Sequence, residues 1–212
     1  MTDIEDVRWE DIGSWYEGKS FSSDWTSGNF SIWTMLLRRY RDLAPRILEI
    51  GCWEGRSALF FLNYLPRSRL VCVDHFTFAG PAEVMTKFGV NEQDFDPDFE
   101  ARFDANLAPF QQRVEKMRAT SLEALGELGV EGRRFDIAYI DGSHHTADVY
   151  RDAVLTWPMI VRGGLVIFDD YRWEYQPGTR EHPKLGIDNF LRAFEGDYAI
   201  VHDAYQLAIT KL

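Results

Sequence analysis

The sequence predicts an α/β fold: one Rossmann-like, doubly wound sheet of mostly parallel strands, with helices on both faces. Three observations predict it. Short apolar runs alternate with amphipathic stretches along most of the chain, the pattern of repeated strand–helix units. The first run, Ile47 to Ile50, ends in the glycine turn Gly51-Cys52-Trp53-Glu54-Gly55 and passes directly into a helical stretch. Such a turn lets backbone approach a ligand closely, and the helix start offers free N–H groups. Two later runs end in acids, Asp141 and the pair Asp169-Asp170, at the strand ends where ligands bind in sheets of this kind.

Each element follows from its local pattern. Residues 1–29 are polar and aromatic, rich in Gly and Ser, and read as an N-terminal arm on a domain covering 30–212. Phe30 to Leu43 reads as a helix with Ile32, Trp33, Leu36 and Leu37 on its apolar face, stopped by Pro45. A strand over 47–50 and a helix over about 56–64 follow, then a strand over 70–73 that ends in Asp74. Residues 76–99 show no period and form an expected substrate wall. A short helix over 99–107 precedes a weakly signalled strand over 114–117. Thr120-Ser121 then caps a helix. The fourth strand is 135–140. A helix over 146–161, kinked by Pro158, leads to a Gly163-Gly164 turn and a fifth strand over 165–168. Residues 172–184 are a candidate lid. A helix over 185–194 and a closing hairpin, 198–201 with 206–209, complete the sheet with one antiparallel strand.

Composition narrows the function. The net charge is −11, which disfavours nucleic acid as a partner without a concentrated basic patch. No apolar run is long enough for a membrane span, and the acidic start is unlike a secretion signal. With two cysteines only, neither a disulfide scaffold nor a zinc site is indicated. A cytoplasmic protein is the default expectation. Aromatic residues make up 15%. Several sit in loops (Trp25, Tyr171, Trp173, Tyr175), where they can contact a substrate or form a homodimer interface.

The spacing Gly-x-x-x-Gly departs from the dinucleotide fingerprint, and Gly55-Arg56-Ser57 lacks the lysine of a phosphate-cradling loop. Asp74 lies twenty-three residues past Gly51, where a carboxylate can accept both hydroxyls of a ribose. Asp141, Asp169 and Asp170 at adjacent strand ends would repel one another unless a cation neutralised them. A hard divalent ion fits: Mg²⁺, with Mn²⁺ or Ca²⁺ as substitutes. His144, three residues after Asp141, is placed to take a proton from a metal-held hydroxyl. His145 competes for that role, and Asp141 itself is a third candidate base.

Together, Leu48-Glu49-Ile50-Gly51-x-x-Glu54-Gly55-Arg56-Ser57, Val73-Asp74, Tyr139-Ile140-Asp141-Gly142-Ser143-His144-His145 and Gly163-Gly164-Leu165-Val166-Ile167-Phe168-Asp169-Asp170-Tyr171 resemble the class I S-adenosylmethionine-dependent methyltransferases. The resemblance is to the metal-dependent O-methyltransferases that act on sugars of antibiotics and polysaccharides, such as the macrocin and mycinamicin methyltransferases and those of methylmannose polysaccharide synthesis. It implies a seven-stranded sheet of order 3-2-1-4-5-7-6. It implies Glu49, Gly51 and Ser57 near the methionine part of the donor S-adenosyl-L-methionine, Asp74 on its ribose, Thr120 and Ser121 near its adenine, and Asp141 beside it. It carries the metal ligands to Asp141, Asp169 and Asp170, and the base to His144. Trp25, His145, Tyr171 and Trp173 are the expected acceptor contacts. The expected acceptor is a small-molecule or oligosaccharide hydroxyl. A catechol-type phenol methyltransferase is the main alternative, ahead of a non-catalytic nucleoside-binding module.

Overall fold

The computed structural model describes residues 9–77, 98–173 and 180–212. In chain order the main elements are α1 (Trp9–Ser14), α2 (Phe30–Leu37), β1 (Arg46–Ile50), α3 (Arg56–Tyr64), β2 (Arg69–Asp74), α4 (Phe99–Leu107), β3 (Val114–Arg118), α5 (Ser121–Val130), β4 (Phe135–Ile140), α6 (Thr146–Thr156), β5 (Ile160–Phe168), α7 (Pro183–Ala193), β6 (Tyr198–Asp203) and β7 (Leu207–Lys211).

The seven strands form one sheet of order β3-β2-β1-β4-β5-β7-β6, as the resemblance implied. Pairings from β3 through β5 are parallel, and β7 runs antiparallel to both β5 and β6. The strand order reverses between β1 and β4, so the topological switch point lies where Ile50 meets Ile140.

Side chains alternate across the sheet with period two, and that alternation divides the core. Ile47, Cys72, Ile137, Tyr139, Leu165 and Ile167 face one layer, with Trp33 of α2, Phe60 and Phe61 of α3 and Phe103 of α4. Leu48, Ile50, Val71, Val73, Ala138, Val166 and Phe168 face the other, with Leu125 of α5, Val149 of α6 and Phe190 of α7. β1 is buried on both faces, which explains its unbroken apolar reading.

Several expected boundaries are corrected. The helix from Phe30 gives way to a 3₁₀ turn at Arg38–Tyr40 instead of running to Leu43. The helix from Thr146 ends at Thr156, and Trp157–Met159 is a 3₁₀ turn. Pro158 has no N–H to continue the helix, and the β-branched Ile160 and Val161 begin β5. Gly163 and Gly164 therefore lie inside β5 rather than before it. A register irregularity against β4 accommodates them. Residues 78–97 of the expected substrate wall and 174–179 of the candidate lid, Tyr175 included, lie outside the described residues. Among the described residues, no helix is long and apolar enough to cross a membrane.

Candidate active site

The switch point needs glycine. Gly51 adopts φ +82°, and a Cβ there would meet the Asp141 carbonyl oxygen at 1.9 Å. Asp141 N–H in turn donates to the Ile50 carbonyl (2.8 Å). The ends of β1 and β4 are thus stitched backbone to backbone, with no room for a side chain between them.

Asp74, at the end of β2, holds the glycine turn. One carboxylate oxygen accepts from Cys52 N–H (3.1 Å) and Trp53 N–H (2.9 Å), and the other from Phe76 N–H (2.8 Å). Glu49 and Ser57 are both buried and bonded to each other, the Ser57 hydroxyl donating to the carboxyl. Cys72 Sγ also contacts Glu49 (3.6 Å). Burial pushes the Glu49 carboxyl up to about 8. Thr120 caps α5 and shares a reciprocal capping box with Glu123. Ser121 donates to Asp152 (2.7 Å), a buried carboxyl raised to about 6 by desolvation. Of the expected donor-site residues, Asp74, Glu49, Ser57, Thr120 and Ser121 therefore all have partners within the chain.

The arm reaches the turn through Glu54, which is wholly buried. Its carboxylate accepts from Ser22 N–H and Oγ (both 2.7 Å) and from Arg102 Nε (2.5 Å). Arg56 pairs with Asp24 (2.7 Å) and lies over the rings of Tyr16 and Phe21. Trp25 is 57% exposed and tilts against Trp53 of the glycine turn, which stacks on Phe99.

At the carboxyl ends of β4 and β5 the three expected aspartates converge. Tyr139 donates to Asp169, and its hydroxyl lies 2.9 Å from Asp141 Oδ2. Asp170 has φ +56°, a left-handed conformation that aspartate tolerates. Its N–H donates to Asp169 Oδ1 (2.8 Å). Its own carboxylate takes the Tyr205 hydroxyl (2.5 Å) and lies 2.7 Å from His144 Nε2. Burial, then the charges of Asp169 and Asp170, hold the Asp141 carboxyl well above its ordinary range. Asp169 is raised by burial and by Asp170. Asp141, Ser143, Asp169 and Asp170 border a small cavity walled by Ile140, Val149 and Pro183.

Donor atoms of Asp141, His144 and Asp170 all lie within 4.8 Å of one another, a grouping able to hold a metal ion. Asp169, the third expected ligand, accepts from Tyr139 and from the Asp170 N–H and borders the same cavity. The donor set suits a hard divalent ion, because clustered, desolvated carboxylates are stabilised by a cation.

The expected acceptor contacts divide. Trp173 meets the His144 ring edge to face, with centroids 4.0 Å apart. His145 caps α6 beside Asp148. Tyr171 is buried and bonded to Asp188 (2.9 Å), with Lys184 over its ring, so its hydroxyl is engaged by α7. Tyr139 and Glu54 stand in the sequence motifs without a role assigned to them there, and Tyr205 stands outside the motifs. The role of Tyr139 emerges from the register Glu49↔Tyr139↔Ile167, which puts it on one sheet face with Asp141 and Asp169. Tyr205 gave no local signal, because it arrives from a turn thirty-five residues from Asp170.

The described geometry matches known proteins. A family model described as a methyltransferase domain covers residues 48–171. The chain is 26% identical over 161 residues to the L-olivosyl-oleandolide 3-O-methyltransferase of Streptomyces antibioticus, an alignment covering 73% of this chain and 34% of that protein. It is 27% identical over 148 residues to the Mycinamicin VI 2''-O-methyltransferase of Micromonospora griseorubida, covering 66% and 31%. The chain thus spans about a third of the length of these curated relatives. Among solved structures, the MycE methyltransferase in complex with Mg, SAH and mycinamycin VI gives a TM-score of 0.64 at 19% identity, covering 95% of this chain and 53% of that one. At that identity the likeness is one of fold. The family match spans more than half of the 212 residues and takes in the glycine turn and all the convergent aspartates, so the chain belongs to the methyltransferase domain family, with the class I S-adenosylmethionine-dependent architecture.

Proposed function

We propose that the protein transfers a methyl group from S-adenosylmethionine to a hydroxyl of a sugar or glycoside, with a divalent cation, Mg²⁺ by preference, beside the acceptor. One observation carries the reading: Asp141, His144, Asp169 and Asp170 gather at the carboxyl ends of two neighbouring strands, next to the switch point. The sugar acceptor is supported by the names of the two relatives, and Mg²⁺ by the MycE complex.

When bound, S-adenosylmethionine supplies an activated methyl group, and the cation lowers the proton affinity of a coordinated hydroxyl. The rest is the work of this chain. Gly51 lets the ends of β1 and β4 close against each other at the switch point, and Asp74 fixes the glycine turn beneath the donor. Asp74 and the N-terminus of α5 lie at the strand ends where ribose and adenine would sit. Asp141 and Asp170, with Asp169 behind them, supply the carboxylate oxygens for the cation. His144 receives the proton that leaves the acceptor hydroxyl. With Nε2 held by Asp170, the nitrogen that takes it is Nδ1. Trp173 covers the ring, and Trp25 offers an exposed face to the acceptor. Alignment of donor and acceptor supplies much of the rate.

A specific observation favours a second role for His144: its ring lies within the donor grouping of Asp141 and Asp170, so it can be a ligand instead. His144→Gln separates the two. As base, its loss is expected to lower turnover about 10²–10⁴-fold with Mg²⁺ affinity unchanged. A matching fall in Mg²⁺ affinity makes it a ligand. The function itself is tested by assaying S-adenosylhomocysteine release on a panel of glycosides and catechols with Mg²⁺ or EDTA. Turnover on catechols alone, or on glycosides undiminished by EDTA, removes the proposal.

A further inference from the structure

The amino ends of β1, β2, β3 and β4 open on the edge of the sheet opposite the candidate active site. A cavity of about 380 Å³ lies there, and five arginines line it: Arg46, Arg69, Arg113, Arg133 and Arg134. In a chain of net charge −11 this concentration of cations is the reverse of the average. The five come from four separate segments and meet only in the fold, so the sequence shows no basic run there.

The arginines do not all have the same work. Arg113 donates to the Leu62 carbonyl (3.0 Å) and reaches those of Leu65 and Ser68, closing the C-terminal end of α3. Arg133 forks onto Glu115 (2.7 and 3.2 Å). Those two have structural roles. Arg46 lies 3.6 Å from Asp136. Among the described residues, Arg134 donates only to the Gly132 and Arg133 carbonyls, and Arg69 only to the Gln112 carbonyl at 3.5 Å. Among the described residues neither Arg69 nor Arg134 makes an ion pair. Five guanidinium groups therefore surround one concavity, and the carboxylates paired with them among the described residues are three: Glu115, Glu131 and Asp136. Like charges so placed repel unless an anion joins them.

We propose that this cavity binds a compact phosphorylated small molecule carrying at least two negative charges, at a site separate from the one for methyl transfer. Guanidinium forks match phosphate oxygens in pairs, and the volume is that of a small-molecule site. The single aromatic residue of the lining, Phe135, is 1% exposed. It offers no face for a base, so stacked single-stranded nucleic acid fits poorly. The phosphate groups bridge Arg69 and Arg134, and Arg46 stands at the rim, its side chain 52% exposed.

The test is calorimetric titration of the whole chain with pyrophosphate at low ionic strength with EDTA present. Wild type should bind, and pyrophosphate should raise its melting temperature. Arg69→Gln/Arg134→Gln should bind at least ten-fold more weakly, while S-adenosylhomocysteine, on the opposite edge, binds both equally. Arg46→Gln, a change at an exposed side chain that leaves folding intact, should weaken pyrophosphate several-fold and gives the answer even if the double variant folds poorly. Absence of binding to wild type overturns the proposal, as does affinity within two-fold of wild type in a folded double variant or in Arg46→Gln.

Discussion

Glu49 is a carboxyl group wholly removed from water, whose neighbours are a serine hydroxyl, a thiol and other acids. Desolvation dominates, and it raises the carboxyl from 4.5 to about 8. Between those values the folded chain keeps a proton that the unfolded chain releases. The stability this confers is full below about pH 4.5 and is lost as pH rises toward 8. Glu49→Gln keeps the shape without the titration. Urea midpoints at pH 5, 6.5 and 8, taken without metal, should show wild type falling relative to the variant by an amount on the order of a few kcal/mol. Parallel curves would mean that Glu49 does not hold the proton. Asp141 and Asp169, raised in the same sense, leave both proteins some slope. The sequence made these acids visible because each ends an apolar run. It did not reveal that Tyr139 joins two of them, since an apolar-looking strand residue shows its hydroxyl partner only once the neighbouring strand's register is known.

At the scale of elements, legibility followed burial. β1, β4, α3 and α4 were readable nearly to the residue, because their apolar positions are continuous or regularly spaced and their ends carry glycine or proline signals. The ends of α2 and α6 were not. Both tighten into 3₁₀ turns, whose spacing differs from α-helix by about 0.6 residue per turn and over a single turn leaves the apolar pattern almost unchanged. β3 signalled weakly because it is an edge strand with no fully buried residue. α5 is a useful test of two readings of one residue. Thr120 was expected near the adenine, and in the fold its hydroxyl both accepts from Glu123 N–H and donates to the Glu123 carboxylate. Thr120→Ala should cost about 1 kcal/mol, read as a lowered melting temperature, and Thr120→Ser should restore it. If Thr120→Ala weakens S-adenosylhomocysteine binding beyond the loss that Thr120→Ser shows, the hydroxyl also serves the donor. A variant as stable as wild type would show that the cap carries no weight.

Across the whole molecule the sheet is electrically sorted, with convergent aspartates at its carboxyl edge and arginines at its amino edge. The carboxyl edge is the more strained of the two. Asp141 and Asp169 lie beside Asp170 in a poorly solvated space, and each is raised first by desolvation and then by its neighbours. In a metal-free chain these groups therefore keep their protons to a higher pH than free carboxyls do. A divalent cation reverses the balance, since it favours the ionised carboxylates and must displace protons to be bound. Mg²⁺ binding should therefore release protons, and its affinity should rise with pH. Titration calorimetry in two buffers of different ionisation enthalpy measures the protons directly. Asp170→Asn should weaken binding, because it removes a candidate ligand, and should also reduce the protons released, because it lifts one negative charge from Asp141 and Asp169. Affinity independent of pH, with no proton release, would mean that the carboxylates are already ionised before the cation arrives. The clustering of acids would then be no measure of how much the site needs one.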